Sequence, residues 1–88
     1  MSEYRVILTA SALRSLESVP PRVVEPLVAF IFGTTADEPK RRGKPLQREL
    51  EGRWSARRGD FRVVYRIDDD TMTIYVLKVG HRGRIYGG

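Results

Sequence analysis

The chain of 88 residues lacks cysteine and contains a single histidine. The absence of cysteine excludes disulfide bonds and thiolate metal sites. With one histidine the sequence offers no good site for another metal ion, and we expect no cofactor. Long apolar runs are also absent: the longest is the six residues Leu27–Phe32, whereas a membrane-spanning helix needs about 20. The first residues show no secretory pattern. We therefore expect a cytoplasmic protein without membrane contacts.

The composition is that of one ordinary globular domain covering residues 1–88. Hydrophobic residues make up 41% and charged residues 31% of the chain, which predicts a folded rather than a disordered protein. A chain of this length buries about 60–65% of its unfolded surface. It therefore has one modest core and no room for a second domain.

Two helices are predicted in the N-terminal half. Thr9 or Ser11 is expected to cap the first helix, which ends at the Pro20–Pro21 pair because proline disfavours helix in the preceding residue. The second helix is predicted over about residues 22–32, with the glycine directly after it as its end. Pro26 would remove a backbone hydrogen bond inside this helix, so we expect a late start or a bend there.

Strands are predicted on both sides of these helices. Residues 4–8 form the first, and a period of two predicts three more over residues 53–58, 61–67 and 72–79. Short turns join the last three, so they must be antiparallel. The polar residues 34–52 are predicted to form a connection over the surface. This order of elements predicts a two-layer α+β fold with both helices on one face of the sheet.

Positive charge is concentrated in one part of the chain. The sequence has 16 basic and 11 acidic residues, a net charge of +5. Eight of the basic residues lie between Lys40 and Arg58, where only two residues are acidic. Most of the basic residues are arginine, whose planar guanidinium binds phosphate at two points. This excess predicts a polyanionic partner, unless it is a solvated surface that only maintains solubility.

A two-residue turn at Gly59–Asp60 would set the register of the strands that it joins, pairing Arg57 with Arg62. Like charges directly opposite each other are destabilising. We therefore predict that phosphate binds between these two arginines, unless their side chains simply extend into water. Alternation divides the side chains between two faces. The face covered by the helices receives Trp54, Ala56, Phe61, Val63, Tyr65 and Ile67, and the opposite face receives Arg53, Ser55, Arg57, Arg62 and Arg66.

The single histidine is predicted to lie at the same site. A turn centred on Asp69–Asp70 would align Arg62 with Leu77, so that His81 arrives beside Arg57 and Arg62. Histidine can give or take a proton near neutral pH. We therefore predict that His81 is a general base or acid at this site.

These groups suit the cleavage of an RNA phosphodiester. A base removes the proton of the 2′-hydroxyl as it attacks the adjacent phosphorus, and arginines stabilise the charge that develops on the phosphoryl oxygens. His81 or Tyr86 could protonate the leaving 5′-oxygen, and Tyr86 could also stack on a base. This chemistry requires no metal.

Several motifs, taken in order, resemble the RelE branch of the RelE/ParE toxin superfamily. They are Gly43–Leu46, Leu50–Arg57, Gly59–Tyr65, Asp68–Asp70 and Val79–Arg82, followed by Tyr86. The resemblance covers nearly the whole chain. It implies an α+β fold with two N-terminal helices packed on one face of a small, mainly antiparallel four-stranded sheet, as in microbial ribonucleases.

The resemblance also implies a function. Such proteins are the toxins of type II toxin–antitoxin modules, and RelE-type members are ribosome-dependent, metal-independent endoribonucleases that cut mRNA in the decoding site. A RelB-like antitoxin neutralises the toxin, and the complex represses its own operon, so the toxin meets operator DNA only through the antitoxin.

Carried over by position, the resemblance marks Arg62 as the phosphate-binding arginine of the central strand. Some relatives have a lysine at the position of Ser55, and others a glutamate just before the Leu46 region, and both are missing here. The general base is therefore assigned to His81, with Lys44 as the alternative. The predicted catalytic residues are Arg57, Arg62, His81 and Tyr86, and the predicted RNA-binding residues are Lys44, Arg53, Ser55, Arg82 and Arg84.

Two other functions remain open at this point. A ParE-like toxin has a fold of the same shape and inhibits DNA gyrase by binding, without chemistry. A plain RNA-binding module would use the same basic face without activity. Detection of position-specific cuts in mRNA would separate the nuclease from both.

Overall fold

The computed structural model describes residues 4–47 and 52–81 and confirms the α+β class. The strands form one sheet in the order β1-β5-β4-β3-β2, in which β1 is parallel to β5 and the other pairs are antiparallel. The elements in chain order are β1 (Arg5–Leu8), α1 (Ala10–Leu16), α2 (Pro21–Phe30), a π-helical turn (Ile31–Thr35), α3 (Pro39–Arg42), β2 (Gly43–Pro45), β3 (Trp54–Arg58), β4 (Phe61–Asp68) and β5 (Thr73–His81). The described residues thus contain five strands, one more than predicted.

The additional strand, β2, lies in the segment that was predicted to be a surface connection. It is held there by the buried side chain of Tyr65, whose hydroxyl donates a hydrogen bond to the carbonyl oxygen of Pro39 at the start of α3. Gly43 passes so close to that hydroxyl that a Cβ atom at this position would overlap it. A buried tyrosine hydroxyl needs such an acceptor, so this anchoring requires a glycine at the first position of β2.

The helices differ from the prediction mainly at their ends. Thr9 caps α1 as predicted, because its side chain accepts a hydrogen bond from the backbone N–H of Ala12 at 3.2 Å. Helix α2 begins at Pro21 and runs through Pro26, so the late start predicted at Pro26 is wrong. Gly33 does not end the helix, because it stays outside the left-handed conformation of a helix terminus and the chain continues as a π-helical turn. None of the helices in the described ranges is long and apolar enough to cross a membrane.

The core lies between the helices and one face of the sheet, here called the helix face. The predicted alternation is confirmed, because all six residues assigned to this face belong to the core cluster or pack against it. Tyr65 is its largest fully buried side chain, and burial raises the pKa of its hydroxyl above the usual range. The buried members of the cluster are Ala12, Val19, Leu27, Ile31, Ala56, Val63, Tyr65, Ile74, Val76 and Val79.

Along one edge of β5, β1 pairs with the first part of the strand and α1 contacts the last part. Pairing of β1 with β5 ends at Leu8, and the backbone N–H and the hydroxyl of Thr9 both donate to the carbonyl oxygen of Val76, at 3.1 and 2.7 Å. Further along, the N–H of Val79 donates to the hydroxyl of Ser15 at 2.9 Å. These contacts fix α1 against the last part of β5.

Candidate functional site

The hairpin between β3 and β4 has the predicted register. Gly59, the first of two turn residues, has a φ of +60°, a left-handed conformation that glycine adopts readily and that a type II′ hairpin turn requires at this position. Arg57 is directly opposite Arg62, and Arg58 is opposite Phe61. The two-residue turn therefore places two arginines side by side.

These arginines belong to the sheet face that the helices leave open, here called the basic face. Arg62 is half-buried, whereas Arg57 is exposed. Cross-strand neighbours share a face, so the register also places Lys44, Arg66 and Lys78 there. The basic face thus consists of Lys44, Arg57, Arg62, Arg66 and Lys78.

Ser55 occupies the centre of this face. It lies opposite Lys44 on one side and Val64 on the other, and only 6% of its surface is exposed. Its hydroxyl oxygen forms no hydrogen bond within the described residues. A buried hydroxyl without an acceptor or donor is destabilising by about 1–3 kcal/mol, so Ser55 can gain a hydrogen bond if an anion reaches it.

Salt bridges distinguish the basic residues of α3 from Lys44 and Arg57 on the basic face. In α3, Arg41 and Arg42 both lie within 4 Å of Glu38, and Lys40 contacts Asp69 at 2.8 Å. Within residues 4–47 and 52–81, no acidic side chain forms a salt bridge with Lys44 or Arg57. The positive charge of α3 is therefore largely compensated, whereas the charges of Lys44 and Arg57 on the basic face can act on an external anion.

Arg66 is held at the β5 side of the basic face. Its guanidinium lies 4.8 Å from the centroid of the Tyr75 ring, its register neighbour on β5. Such cation–π stacking contributes about 0.5–1 kcal/mol at exposed sites. Arg53 lies just before β3 and is exposed, and its carbonyl oxygen accepts a hydrogen bond from the N–H of Leu46.

The turn between β4 and β5 is longer than predicted. It comprises Asp69–Met72, and its last residue has a φ of 51°. The side chain of Asp68 accepts hydrogen bonds from two backbone N–H groups of the turn. The predicted alignment of Arg62 with Leu77 is therefore wrong, and Arg62 pairs with Gly80.

A β-bulge in β5 adds one further residue. Tyr65 pairs with Val76 while its neighbour Val64 pairs with Lys78, so Leu77 has no counterpart on β4. Side chains alternate along a strand, and one extra residue moves each later side chain to the opposite face. The bulge thus decides which residues at the end of β5 share a face with the arginines.

His81 consequently lies on the helix face. Its register neighbour is Phe61, and the two rings contact edge to face with centroids 5.7 Å apart. His81 does reach the end of the sheet that holds Arg57 and Arg62, as predicted, but its side chain leaves the strand on the opposite face, because the bulge inverts the alternation after Leu77. The sheet separates the imidazole from those guanidinium groups.

Three predicted site residues, Arg82, Arg84 and Tyr86, lie outside the described residues. Of the others, the structure brings Lys44, Ser55, Arg57 and Arg62 together on one face. Lys78 and Tyr75 were not predicted as members of this site. The pairing of Tyr75 with Arg66 and, after the bulge, that of Lys78 with Val64 assign them to this face, and the sequence alone does not show this register.

The turn between β4 and β5, here called the hairpin tip, is bonded to two other parts of the chain. The hydroxyl of Tyr4 donates to Asp69 at 2.7 Å, and the ammonium group of Lys40 contacts the same carboxylate. These hydrogen bonds, first that of Lys40 and then that of Tyr4, hold the pKa of Asp69 below its usual value. In the part of the chain that the structure describes, no three histidine or carboxylate side chains cluster as metal ligands.

Known proteins share both the sequence and the fold. A family model described as ParE toxin of type II toxin-antitoxin system, parDE, matches residues 6–86. Over 83 residues the chain is 51% identical to Toxin RelG and 43% identical to Toxin RelE, both of Mycobacterium tuberculosis. These matches cover 94% of this chain, 95% of RelG and 86% of RelE.

A solved structure supports the same relationship. A chain of the toxin–antitoxin complex RelBE2 from Mycobacterium tuberculosis is 50% identical and superimposes with a TM-score of 0.90, over 93% of this chain and 94% of that one. The sheet, the helix pair and these relatives define a toxin of a type II toxin–antitoxin system. The chain belongs to the RelE/ParE toxin superfamily and is of the RelE type.

Proposed function

We propose that this toxin is a ribosome-dependent endoribonuclease that cleaves mRNA and thereby inhibits translation. The observation that carries the proposal is the pairing of Arg57 with Arg62 on the open face of the sheet. Residues paired in this way have Cα atoms about 4.5–5.5 Å apart, so both planar guanidinium groups can reach one phosphate. A bound phosphate removes their mutual repulsion.

The proposed reaction is an attack of the 2′-hydroxyl on the adjacent phosphorus. The O2′–P bond forms and the P–O5′ bond breaks, giving a 2′,3′-cyclic phosphate and a 5′-hydroxyl. One proton leaves the attacking oxygen and another reaches the leaving oxygen. Arg57 and Arg62 stabilise the negative charge on the phosphoryl oxygens, which is largest in the transition state. The proposed step uses no metal ion or other cofactor.

The geometry favours Lys44 over His81 as the group that removes the 2′-proton. Lys44 is exposed on the basic face, one strand away from Arg57, whereas His81 lies on the helix face. A lysine can act as a general base, which an arginine cannot. Ser55, between Lys44 and the arginines, is proposed to donate a hydrogen bond to the RNA. Tyr86 is proposed to protonate the leaving 5′-oxygen, and Arg53, Arg82 and Arg84 are proposed to contact the RNA; these roles rest on the sequence and the family resemblance.

The proposed partners follow from the family. The RelBE2 chain, 50% identical, was solved in a toxin–antitoxin complex, which supports a RelB-like antitoxin for this chain as well. The proposed site of action is the decoding site of the ribosome, in the cytoplasm. Contact with operator DNA is proposed only through the antitoxin.

Translating ribosomes incubated with the purified protein test this proposal. We expect cuts at defined positions of the mRNA, with 2′,3′-cyclic phosphate ends. The Arg62→Ala variant should cut at least about 10²-fold more slowly, because it loses charge stabilisation in the transition state. Arg41→Ala is the control: it also removes one arginine charge, but one that is paired with Glu38 outside the basic face, and it should cut like the wild type.

The second candidate is inhibition of DNA gyrase by binding, which the match to the ParE toxin model favours. Loss of gyrase supercoiling activity without any cut in mRNA would support that function and contradict the nuclease. Intact mRNA together with unaffected gyrase would leave a passive RNA-binding module as the better description.

A further inference from the structure

A cavity of about 570 Å³ lies between the end of α1 and the last residues of β5. Of the residues that line it, Phe61, Val79 and His81 lie on the helix face. Its volume is in the range of sites that bind small organic groups. The lining residues are Ser15, Ser18, Val19, Pro20, Phe61, Lys78, Val79, Gly80 and His81.

This cavity adjoins the proposed phosphate site. Phe61, which forms part of its wall, is the residue directly before Arg62, and Cα atoms of consecutive residues are about 3.8 Å apart. The two side chains leave β4 on opposite faces at the end of the sheet, next to the Gly59 turn. A flexible strand that passes around this end of the sheet can therefore place a phosphate on one face and the attached group in the cavity.

The cavity wall has the chemistry of a nucleobase site. Phe61 and His81 form an edge-to-face aromatic pair, and Val19 and Pro20 add apolar surface. The hydroxyl of Ser15 is engaged with the N–H of Val79 and the carbonyl of Ala12, so it fixes the wall. Proteins recognise single-stranded RNA by stacking unpaired bases on aromatic side chains beside a few polar groups.

Positive charge extends to this side of the sheet end as well. Arg58 is opposite Phe61 in the register, and Phe61 is opposite His81, so these three residues form one row across β3, β4 and β5 on the helix face. The adjacent row on the basic face is Arg57, Arg62 and Gly80. Arginines on both faces of the same sheet end suit a polyanion that continues from one face to the other.

We propose that this cavity binds an unpaired nucleobase of the RNA whose phosphate lies between Arg57 and Arg62. This inference rests on the proposed nuclease function and adds a base-binding subsite to it. The nucleobase stacks on Phe61, and the subsite contributes to the choice of the bond that is cut.

A cycle of base removal and ring removal tests the subsite. A set of ribosome-bound mRNAs is prepared, each with a single abasic nucleotide at a different position near the cleaved bond. The rate of single-turnover cleavage of each mRNA is then compared between the wild type and Phe61→Leu. Stacking of a base on an aromatic side chain corresponds to about 5- to 150-fold in affinity. At one position we expect base removal to slow the wild type about 10-fold, and the Phe61→Leu variant to cut intact and abasic mRNA at the same reduced rate.

Ser18→Trp is a second variant that leaves Phe61 in place. Ser18 is exposed in the loop after α1 and lines the cavity, so an indole there fills the cavity without entering the core. We expect Ser18→Trp to reproduce the loss of sensitivity to base removal. Circular dichroism of both variants checks that the fold is retained, and Arg41→Ala should behave like the wild type in the cycle.

The outcomes separate the subsite from the function on which it rests. Cleavage by the wild type with equal sensitivity to base removal in all variants would overturn the subsite while leaving the nuclease intact. Absence of cleavage by the wild type would overturn both. A Ser18→Trp variant that cuts RNA normally but is no longer neutralised by its antitoxin would also overturn the subsite, because the cavity would then be a protein-binding groove.

Discussion

At the scale of single residues, the structure favours Lys44, the alternative general base, over His81, the first choice. Sequence reasoning assigned the proton transfer to His81 because an imidazole titrates near neutral pH. The structure leaves Lys44 on the same face as Arg57 and Arg62 and puts His81 on the other. Residue type alone therefore does not identify a base, since a base must also reach the proton that it removes.

We expect Lys44→Ala to lower single-turnover cleavage at least about 10²-fold, because general-base catalysis contributes about 10²–10⁴-fold. Lys44→Arg should not restore the rate, because a guanidinium keeps its proton. His81→Ala should lower the rate by no more than about 10-fold. The measurement is cyclic-phosphate formation on translating ribosomes over a range of pH.

Full activity of Lys44→Arg would show that Lys44 only binds phosphate. A loss in His81→Ala as large as in Lys44→Ala would return the proton transfer to the histidine.

At the scale of secondary-structure elements, the parts that sequence reasoning predicted are those set by local chemistry. The Gly59–Asp60 turn defines the register of β3 and β4 within a few residues, and the pairing of Arg57 with Arg62 follows from it. The cap at Thr9 is local in the same sense. These features depend on neighbours in the sequence, so the sequence pattern was sufficient.

The parts that were missed depend on contacts between distant segments. Strand β2 exists because Tyr65, more than twenty positions further along the chain, packs against Gly43 and bonds to Pro39. The bulge at Leu77 lies where β5 passes from β1 to α1 as its neighbour, next to the bond from Val79 to Ser15. Hydrophobic periodicity carries no signal for either contact.

The close approach of Gly43 to Tyr65 gives a prediction for the stability of β2. Gly43→Ala should lower the free energy of unfolding by about 1–3 kcal/mol, because the added methyl overlaps the tyrosine hydroxyl in a packed interior. Tyr65→Phe alone should cost about 1–2 kcal/mol through the unpaired Pro39 carbonyl. Urea unfolding monitored by circular dichroism measures both.

The two changes should couple. In the Tyr65→Phe background, Gly43→Ala should cost less than it does in the wild type, because the hydroxyl that it meets is gone. Strictly additive losses would show that β2 relaxes away from the overlap.

At the scale of the whole molecule, the distribution of charge governs how tightly RNA binds. A 2′-O-methyl oligonucleotide cannot be cut, so its binding can be measured at equilibrium. The logarithm of its association constant should fall linearly with the logarithm of the salt concentration, with a slope of about −0.7 per phosphate contacted. Arg57→Ala should make this slope shallower by about one contact, whereas Arg41→Ala should leave it unchanged. Titrations followed by fluorescence anisotropy at several salt concentrations provide the slopes, and equal slopes for all three proteins would contradict an arginine contact to phosphate.

The hairpin tip connects the stability of the molecule to pH. Lys40 and Tyr4 lower the pKa of Asp69 in the folded protein, so the carboxylate stabilises the fold above its unfolded pKa of about 3.9. This stabilisation is lost as the pH falls through the lower pKa of the folded state. Asp69→Asn should therefore unfold more easily than the wild type at pH 7, and the difference should shrink below about pH 4. Thermal unfolding across this range tests the sign, and a difference that grows towards acid pH would contradict it.

The extra residue at Leu77 also determines which changes of length β5 can accept. If Leu77 is deleted, Lys78 still faces Val64 and each later residue keeps its present side of the sheet. A residue inserted after Lys78 would instead exchange the two sides, turning Val79 out of the core. β5 can therefore lose one residue at this point without changing the side chains that face the core, but it cannot gain one. The fold should tolerate shortening here far better than lengthening.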